Sequence, residues 1–227
     1  MARALIIQHE PNGPSGLVGE RLEHHGYALH TWLVSAAANG NAPAPTDFDV
    51  VVPLGSARSV YDLAEVGSWI DGELDLLRAA DANAVPVFGI CFGAQALCTA
   101  LGGVVERSPA YEAGWVEVDT DDAAVVPSGP WFTWHGDRCI LPADVSVLAR
   151  NEIAVQAFRH GTSTGVQFHP EVTADMVEGW MAELGPEWFA RKGIDADAML
   201  GGFAVHHDTA LANLHRMLDR FLDDTTG

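Results

Sequence analysis

The feature that most constrains this chain is a short apolar run that ends in a glycine-bracketed cysteine. The segment from Val85 to Cys91 reads Val-Pro-Val-Phe-Gly-Ile-Cys, which is typical of a central strand buried on both faces of a parallel sheet. Phe-Gly-Ala-Gln follows, and then an apolar helical pattern that extends to Leu101. This order of strand, tight turn and helix predicts a nucleophile elbow, in which the side chain at the turn projects into a site.

Elsewhere, β-branched runs alternate with helical periods, and this pattern predicts an α/β fold with a doubly wound, flavodoxin-like and mostly parallel sheet. Apolar spacing predicts helices over Leu17–His25 and Trp69–Ala80. The predicted strands are Ala4–Ile7, Ala28–Val34, Val50–Pro53, Val85–Cys91, Gly114–Val118, Trp131–Trp134, Val145–Ala149, Ala154–Phe158 and Gly165–Phe168. We expect one domain over residues 1–227, with an exposed Ala36–Thr46 loop and a helical extension from about residue 173.

The composition argues against several classes of function. Twelve basic and 31 acidic residues give a net charge of −19, which disfavours nucleic acid and anionic membrane surfaces as partners. No apolar run approaches the ~18 residues of a membrane span. Three cysteines without metal-ligand spacing are typical of a reducing compartment, so we expect a cytoplasmic protein. No nucleotide-binding fingerprint or metal cluster is visible, and we therefore expect no cofactor and no metal.

Cys91 is predicted to be a nucleophile rather than a structural thiol. Gly89 and Gly93 flank it, and a turn this tight leaves no room for side chains on both sides of the nucleophile. The turn also sets the sulfur at the positive end of the following helix, which favours the reactive thiolate. Cys98 lies within that helical pattern and is predicted to be a small core residue.

A cysteine nucleophile needs a general base and a group that orients the base. Among the ten histidines, His169 stands out because it ends a predicted strand and is followed by Pro-Glu. Pro170 favours an extended chain, in which residues two apart project to the same side. The Glu171 carboxylate can then reach one ring nitrogen while the other faces the sulfur. The sequence thus predicts Cys91, His169 and Glu171 as a catalytic triad.

Two motifs together resemble the class I, or triad, glutamine amidotransferase family. They are Gly-Ile-Cys-Phe-Gly-Ala-Gln around Cys91 and Gly-Val-Gln-Phe-His-Pro-Glu around His169, and the resemblance extends from about Val50 to Val172. It is closest to small stand-alone members that are similar to the amidotransferase domain of GMP synthase. The resemblance implies hydrolysis of the glutamine side-chain amide through a γ-glutamyl thioester on the cysteine, with release of ammonia. It also implies that Gln95 helps to hold the substrate.

Acyl transfer further requires N–H donors for the oxyanion. Phe92, the residue after the nucleophile, is expected to supply one backbone N–H, and in this family a glycine-rich loop after the third strand supplies the other. That loop reads Gly55-Ser56-Ala57 where the family pattern is Gly-Gly-Pro. Ser56 resists the positive φ that glycine adopts freely, which leaves two alternatives. Either a bound partner or substrate completes the loop, or Ser56 takes the required geometry unaided.

The segment Phe-Thr-Trp-His-Gly-Asp at 132–137 resembles the loop that borders the glutamine pocket in the family. Trp134 stands where a small polar residue is common. We expect Trp134, His135 and Gly136 to contact the substrate. A position in a glycine-containing turn favours a structural or substrate-backbone role for His135 over the role of base.

The loop after the first strand contains a further histidine beside an acid, His9-Glu10. These residues are candidates for the same cleft, because the strands of such a sheet place their ligand sites at one edge. Histidines in loops more often face water, and that is the expectation for His9.

The leading functional hypothesis is a glutamine amidotransferase-like amidohydrolase whose ammonia is used by a separate synthase subunit. A first alternative keeps the triad but hydrolyses another γ-glutamyl amide, with water as the acceptor. A second alternative is a non-catalytic regulatory subunit with the same fold. Cysteine stress proteins share the elbow, but they lack the His-Pro-Glu segment found here.

Overall fold

The computed structural model describes residues 1–34 and 42–226. Residues 36–41 of the predicted Ala36–Thr46 loop therefore lie outside the described residues. The strands are β1 Arg3–Gln8, β2 Ala28–Leu33, β3 Val50–Pro53, β4 Phe88–Ile90, β5 Val104–Val116, β6 Asp119–Thr120, β7 Trp131–Ile140, β8 Ser146–Arg150, β9 Val155–His160 and β10 Ser163–Val166. The helices are α1 Gly16–His24, α2 Leu63–Val66, α3 Ile70–Ala82, α4 Phe92–Ala100, α5 Ala174–Leu184, α6 Pro186–Lys192 and α7 Ala196–Thr226.

The central sheet is parallel on one side and antiparallel on the other. Strands β2, β1 and β3 pair in parallel in that order, and a parallel bridge between Val51 and Val87 links β3 to the chain entering β4. Strand β10 is parallel to β4, whereas the β10–β9, β9–β8 and β8–β6 pairs are antiparallel. The predicted α/β, flavodoxin-like fold is confirmed, with a mixed sheet.

Alternating residues of β1 explain why helices cover both faces of this sheet. Ala4 and Ile6 belong to one buried cluster together with apolar residues of α1 and α7. Leu5 and Ile7 belong to a second cluster together with apolar residues of α3 and α4. Successive side chains of a strand point to opposite faces, so a continuous apolar run places the strand between two helical layers.

Strands β5 and β7 form a separate antiparallel pair beside the central sheet. The sequence predicts strands only over Gly114–Val118 and Trp131–Trp134. The first prediction misses β5 before Gly114 and extends past its end at Val116, and the second misses β7 after Trp134. Strand β7 continues to Ile140, so the prediction that His135 lies in a turn is wrong. Its buried positions alternate as far as Cys139. Strand β5 pairs with every residue of β7 except Gly136, where the register shifts.

The three helices after residue 173 pack over β5 and β7. They enclose a third apolar cluster in which Phe132 of β7 meets Val177, Phe189 and Phe203. Thr173 caps α5, because its hydroxyl accepts a hydrogen bond from the Met176 N–H. Within residues 1–34 and 42–226, no helix is long and apolar enough to cross a membrane.

Candidate active site

Cys91 occupies a strained turn between β4 and α4. Its backbone angles are φ 50° and ψ −105°, a conformation that costs a non-glycine residue of order 1–3 kcal/mol and is concentrated at functional sites. A Cβ on Gly93 would lie 2.0 Å from the Pro53 carbonyl oxygen, and one on Gly89 would lie 2.9 Å from the Gly93 oxygen. Both glycines are therefore required by the close approach of backbone to the elbow.

His169 and Glu171 form a buried pair at the end of β10. The His169 Nδ1 lies 2.8 Å from the Glu171 Oε1, and the His169 N–H donates to the Phe132 carbonyl at 2.7 Å. Burial alone would lower the pKa of the His169 imidazole, but the Cys91 sulfur and the Glu171 carboxylate outweigh burial and hold it well above its usual value. The arrangement favours the protonated, imidazolium form of His169.

Two glutamines surround the thiol. The Gln167 Nε2 lies 3.6 Å from the Cys91 Sγ, and the Gln95 Nε2 lies 3.2 Å from the Gln167 Oε1. Both amides are buried. Sequence reasoning did not select Gln167, although the extended segment places it two residues before His169 and hence on the same side of the chain.

The loop after β3 lies directly against the predicted triad. The Leu54 carbonyl accepts from the Gly93 N–H at 2.9 Å, which ties the loop to the elbow. A Cβ on Gly55 would lie 2.9 Å from the His169 Cε1 and 3.8 Å from the Cys91 Cβ. Phe92 is buried and begins α4, so its N–H has no acceptor within that helix. The Gly55 loop and the elbow before Phe92 thus lie next to one another.

The backbone argument against Ser56 does not apply in this conformation. Among residues 1–34 and 42–226, Ala84 and Cys91 are the only non-glycine residues with positive φ. The Ser56 hydroxyl donates to the Glu10 Oε1 at 2.8 Å and accepts from the Arg58 N–H at 3.2 Å. The loop is therefore built without the torsion that serine resists.

The three predicted substrate contacts on β7 differ in their surroundings. Trp134 is half-buried, whereas the His135 Nε2 lies 2.8 Å from the Glu112 Oε2. Burial of Glu112 acts to raise its pKa, but hydrogen bonds led by that from His135 lower it overall. A Cβ on Gly136 would lie 2.8 Å from the Tyr111 ring. His135 is thus paired with a carboxylate other than Glu171.

The predicted site residues line one cavity of about 290 Å³. Of the ten, all but Phe92 contribute to its lining: Cys91, His169, Glu171, Gly55, Ser56, Gln95, Trp134, His135 and Gly136. An aromatic wall, consisting of Tyr111, Trp134, Trp180 and Trp188, forms part of the same cavity. Ring centroids of neighbouring members of this wall lie 5.5–6.2 Å apart. Sequence reasoning missed Tyr111, Trp180 and Trp188, because β5 and the carboxyl-terminal helices bring them to the cavity.

His9 is buried, which contradicts the expectation that it faces water. Its Nδ1 lies 3.1 Å from the Gly55 carbonyl oxygen, and its Nε2 lies 2.9 Å from the Glu73 Oε2. Glu73 was also missed, although it falls among the apolar positions of α3 next to Ile70 and Leu74. A carboxylate on an apolar helical stripe was the available signal.

Comparison with known proteins identifies related sequences. The family model for glutamine amidotransferase class-I matches residues 18–179. The GMP synthase of Agrobacterium fabrum is 42% identical over 109 residues, which cover 42% of this chain and 20% of that protein. The glutamine amidotransferase-like protein YfeJ of Salmonella typhimurium is 27% identical over 236 residues, covering 99% of this chain and 97% of that protein. The chain therefore matches about a fifth of the GMP synthase.

Two solved structures have the same fold over nearly the full chain. A glutamine amidotransferase from Thermotoga maritima superposes with a TM-score of 0.86 at 23% identity, covering 100% of this chain and 99% of that one. A glutamine amidotransferase from Methylobacillus flagellatus superposes with a TM-score of 0.87 at 25% identity, covering 99% and 95%. With the family model matching most of its length, this chain belongs to the class-I glutamine amidotransferase family.

Proposed function

We propose that this chain hydrolyses the side-chain amide of glutamine through a γ-glutamyl thioester on Cys91 and releases ammonia. The observation that carries the proposal is the cysteine at a strained elbow, in one cavity with a buried pair whose His169 Nδ1 and Glu171 Oε1 are 2.8 Å apart. A nucleophile, a base and an orienting acid at one site are what acyl transfer needs.

In the acylation step, the Cys91 thiolate attacks the amide carbon and the carbonyl oxygen becomes an oxyanion. The N–H groups of Phe92 and Ser56 are proposed to stabilise that charge. The His169 imidazolium then gives its proton to the leaving nitrogen, the C–N bond breaks and ammonia departs. Glu171 keeps the ring oriented through Nδ1, so that Nε2 handles the proton.

In the deacylation step, His169 accepts a proton from water while the water oxygen attacks the thioester carbon. The C–S bond then breaks, glutamate leaves and the thiolate returns. Buried Gln95 and Gln167 are proposed to position the thiol and the substrate amide, since they form a hydrogen-bonded chain beside the sulfur.

The ammonia is proposed to serve a separate synthase subunit. The relatives named GMP synthase are much longer than the segment they share with this chain, and the sequence itself contains no nucleotide-binding fingerprint. A synthase partner would bring the acceptor and its activation, while this chain would supply nitrogen.

A second candidate, hydrolysis of a larger γ-glutamyl amide, is favoured by the aromatic wall. Glutamine carries only an NH₂ group beyond its amide carbon, whereas Tyr111, Trp134, Trp180 and Trp188 offer extensive apolar surface to a bulkier amine. In this case water is the sole acceptor and the released amine is the product.

The test is an assay of released ammonia or amine over glutamine, γ-glutamyl-p-nitroanilide and γ-glutamyl alkylamides, with Cys91→Ala as the control. We expect hydrolysis by the wild type only, and labelling of Cys91 by a glutamine-like chloroketone. Faster hydrolysis of glutamine would favour the first substrate, and faster hydrolysis of the anilide or alkylamides would favour the larger γ-glutamyl amide. A label on Cys98 or Cys139, or equal rates in wild type and Cys91→Ala, would overturn the assignment and favour a non-catalytic subunit.

A further inference from the structure

A second histidine–glutamate pair lies behind the loop that follows β3. His9 and Glu73 are fully buried at their side chains, and their atoms Nε2 and Oε2 are 2.9 Å apart. His9 does not line the cavity, whereas Gly55 and Ser56 do. The pair is thus separated from any substrate by the backbone of the loop.

The chemistry of its neighbours fixes where the His9 ring carries a proton. The Gly55 carbonyl oxygen, 3.1 Å from Nδ1, can only accept, so Nδ1 must donate. The Glu73 carboxyl at Nε2 either accepts from an imidazolium or donates to a neutral ring, and in both states the Nδ1–H bond persists. Burial would lower the pKa of His9, but the charge and hydrogen bond of Glu73 outweigh it and raise the pKa.

The hydrogen bond to Gly55 determines the direction of the next N–H. Gly129–Pro130 is the only cis peptide among residues 1–34 and 42–226, so the Gly55–Ser56 peptide is trans and planar. Its C=O and N–H therefore point in opposite directions. With the oxygen held against His9, the Ser56 N–H points away from His9. Gly55 and Ser56 line the cavity that contains Cys91. The Ser56 N–H donates no hydrogen bond to any other residue in the described part of the chain.

The same imidazole also contacts the other predicted donor residue. The His9 ring meets the Phe92 ring edge-on with centroids 4.7 Å apart, and Trp69 packs on both at 5.3 and 5.8 Å. Phe92 follows the nucleophile, and its side chain anchors the first turn of α4. One buried ring thus contacts the Gly55 carbonyl oxygen and the Phe92 side chain, in the two segments that are proposed to supply the oxyanion donors.

We propose that His9, held by Glu73, is a positioning residue that keeps the Ser56 N–H aimed at the oxyanion. This inference rests on the proposed acyl transfer at Cys91. It predicts that His9 acts on the turnover number and on binding of transition-state analogues, with little effect on ground-state substrate affinity. It also explains how a Gly-Ser-Ala loop can be ready for catalysis without a partner.

Two substitutions separate the contacts of His9. In His9→Asn, the amide nitrogen stands where Nδ1 stood and can donate to the Gly55 oxygen, but Glu73 loses its partner. In His9→Gln, the amide reaches the level of Nε2, so Glu73 keeps a partner and the Gly55 oxygen loses its donor. His30, which is exposed on β2, supplies the matched controls His30→Asn and His30→Gln.

We expect kcat for the best γ-glutamyl substrate to fall about 10²–10³-fold in His9→Gln, the cost of one lost oxyanion donor. We expect His9→Asn to retain kcat within about tenfold, and KM to change less than about threefold in both. Affinity for glutamate γ-semialdehyde, which adds to the thiol and leaves an oxygen at the oxyanion position, should follow kcat. Alkylation of Cys91 by iodoacetamide needs no oxyanion stabilisation and should be unaffected.

A merely structural role of His9 predicts the reverse order of kcat, with the larger loss in His9→Asn. That variant leaves the buried Glu73 carboxylate without its partner, whereas His9→Gln does not. Equal kcat in His9→Gln and wild type, or parallel losses of alkylation rate and melting temperature, would overturn the inference while leaving the acyl transfer intact. A wild type that neither turns over substrate nor binds the semialdehyde would overturn both. Should His9→Gln fail to fold, NMR of the isotope-labelled wild type replaces it: the Ser56 amide proton must move downfield on semialdehyde addition, and an unmoved resonance refutes the inference.

Discussion

Gly55→Ala tests how tightly the loop after β3 fits the predicted base. An added Cβ would lie 2.9 Å from the His169 Cε1, whereas carbon atoms in contact prefer about 3.5–4.0 Å. The ring must therefore retreat by at least about 0.6 Å. The Gly55 φ is not in the left-handed region, so alanine introduces a contact and no backbone strain.

The His169 ring cannot move away from the added Cβ without disturbing one of its contacts. The His169 Nδ1 is held 2.8 Å from the Glu171 Oε1, and a shift of this size stretches that bond past the usual limit of about 3.2 Å or turns Nε2 away from the sulfur. Misplacement by ~1 Å can cost about 10²-fold in rate, or about 2.7 kcal/mol of barrier. We expect kcat/KM in Gly55→Ala to fall by about that factor.

The assay is steady-state hydrolysis of the best γ-glutamyl substrate, with thermal unfolding measured in parallel. Gly72→Ala is the matched control, since its Cβ meets nothing within 4 Å on the exposed side of α3. That change should leave kcat/KM as it is and stabilise the helix by roughly 0.5–1 kcal/mol. A Gly55→Ala enzyme with kcat/KM within threefold of wild type would refute the proposed contact between loop and base.

Two further predictions address the triad and the loop. His169→Ala should lower kcat about as much as Cys91→Ala. Glu171→Ala should lower it less, because loss of the orienting acid is less severe in comparable triads. Equal activity in His169→Ala and wild type would remove His169 from the mechanism. Ser56→Gly combined with Ala57→Pro should change basal turnover less than about tenfold, since neither residue has positive φ; a gain near the ~10²–10³-fold worth of one oxyanion donor would mean that the loop limits the resting enzyme.

The central part of the fold could be predicted because its signals are local. Strands β1 and β3 are indicated by short apolar runs. The elbow is indicated by the two glycines around Cys91. Strand β5 could not be predicted over its length, since polar residues such as Glu106 and Arg107 interrupt its pattern. Its strand character comes from pairing with β7, which lies outside any local window.

The same distinction applies to the candidate site. His169 and Glu171 are two residues apart, and their contact follows from the period of an extended chain. The partners of His9 are 46 and 64 residues away, so its burial depends on how β1, β3 and α3 assemble. The local sequence pattern therefore predicted that His9 faces water. In the tertiary structure, His9 is buried behind the loop that follows β3.

Glu171 is also anchored through its backbone. Its carbonyl accepts from the Leu17 N–H at 2.9 Å, and a Cβ on Gly16 would lie 2.1 Å from that oxygen. The start of α1 thus rests on the segment that carries the predicted base and acid. During synthesis the ribosome delivers this helix and Cys91 before His169 and Glu171. The proposed triad can be complete only once β10, the last strand, has inserted between β4 and β9.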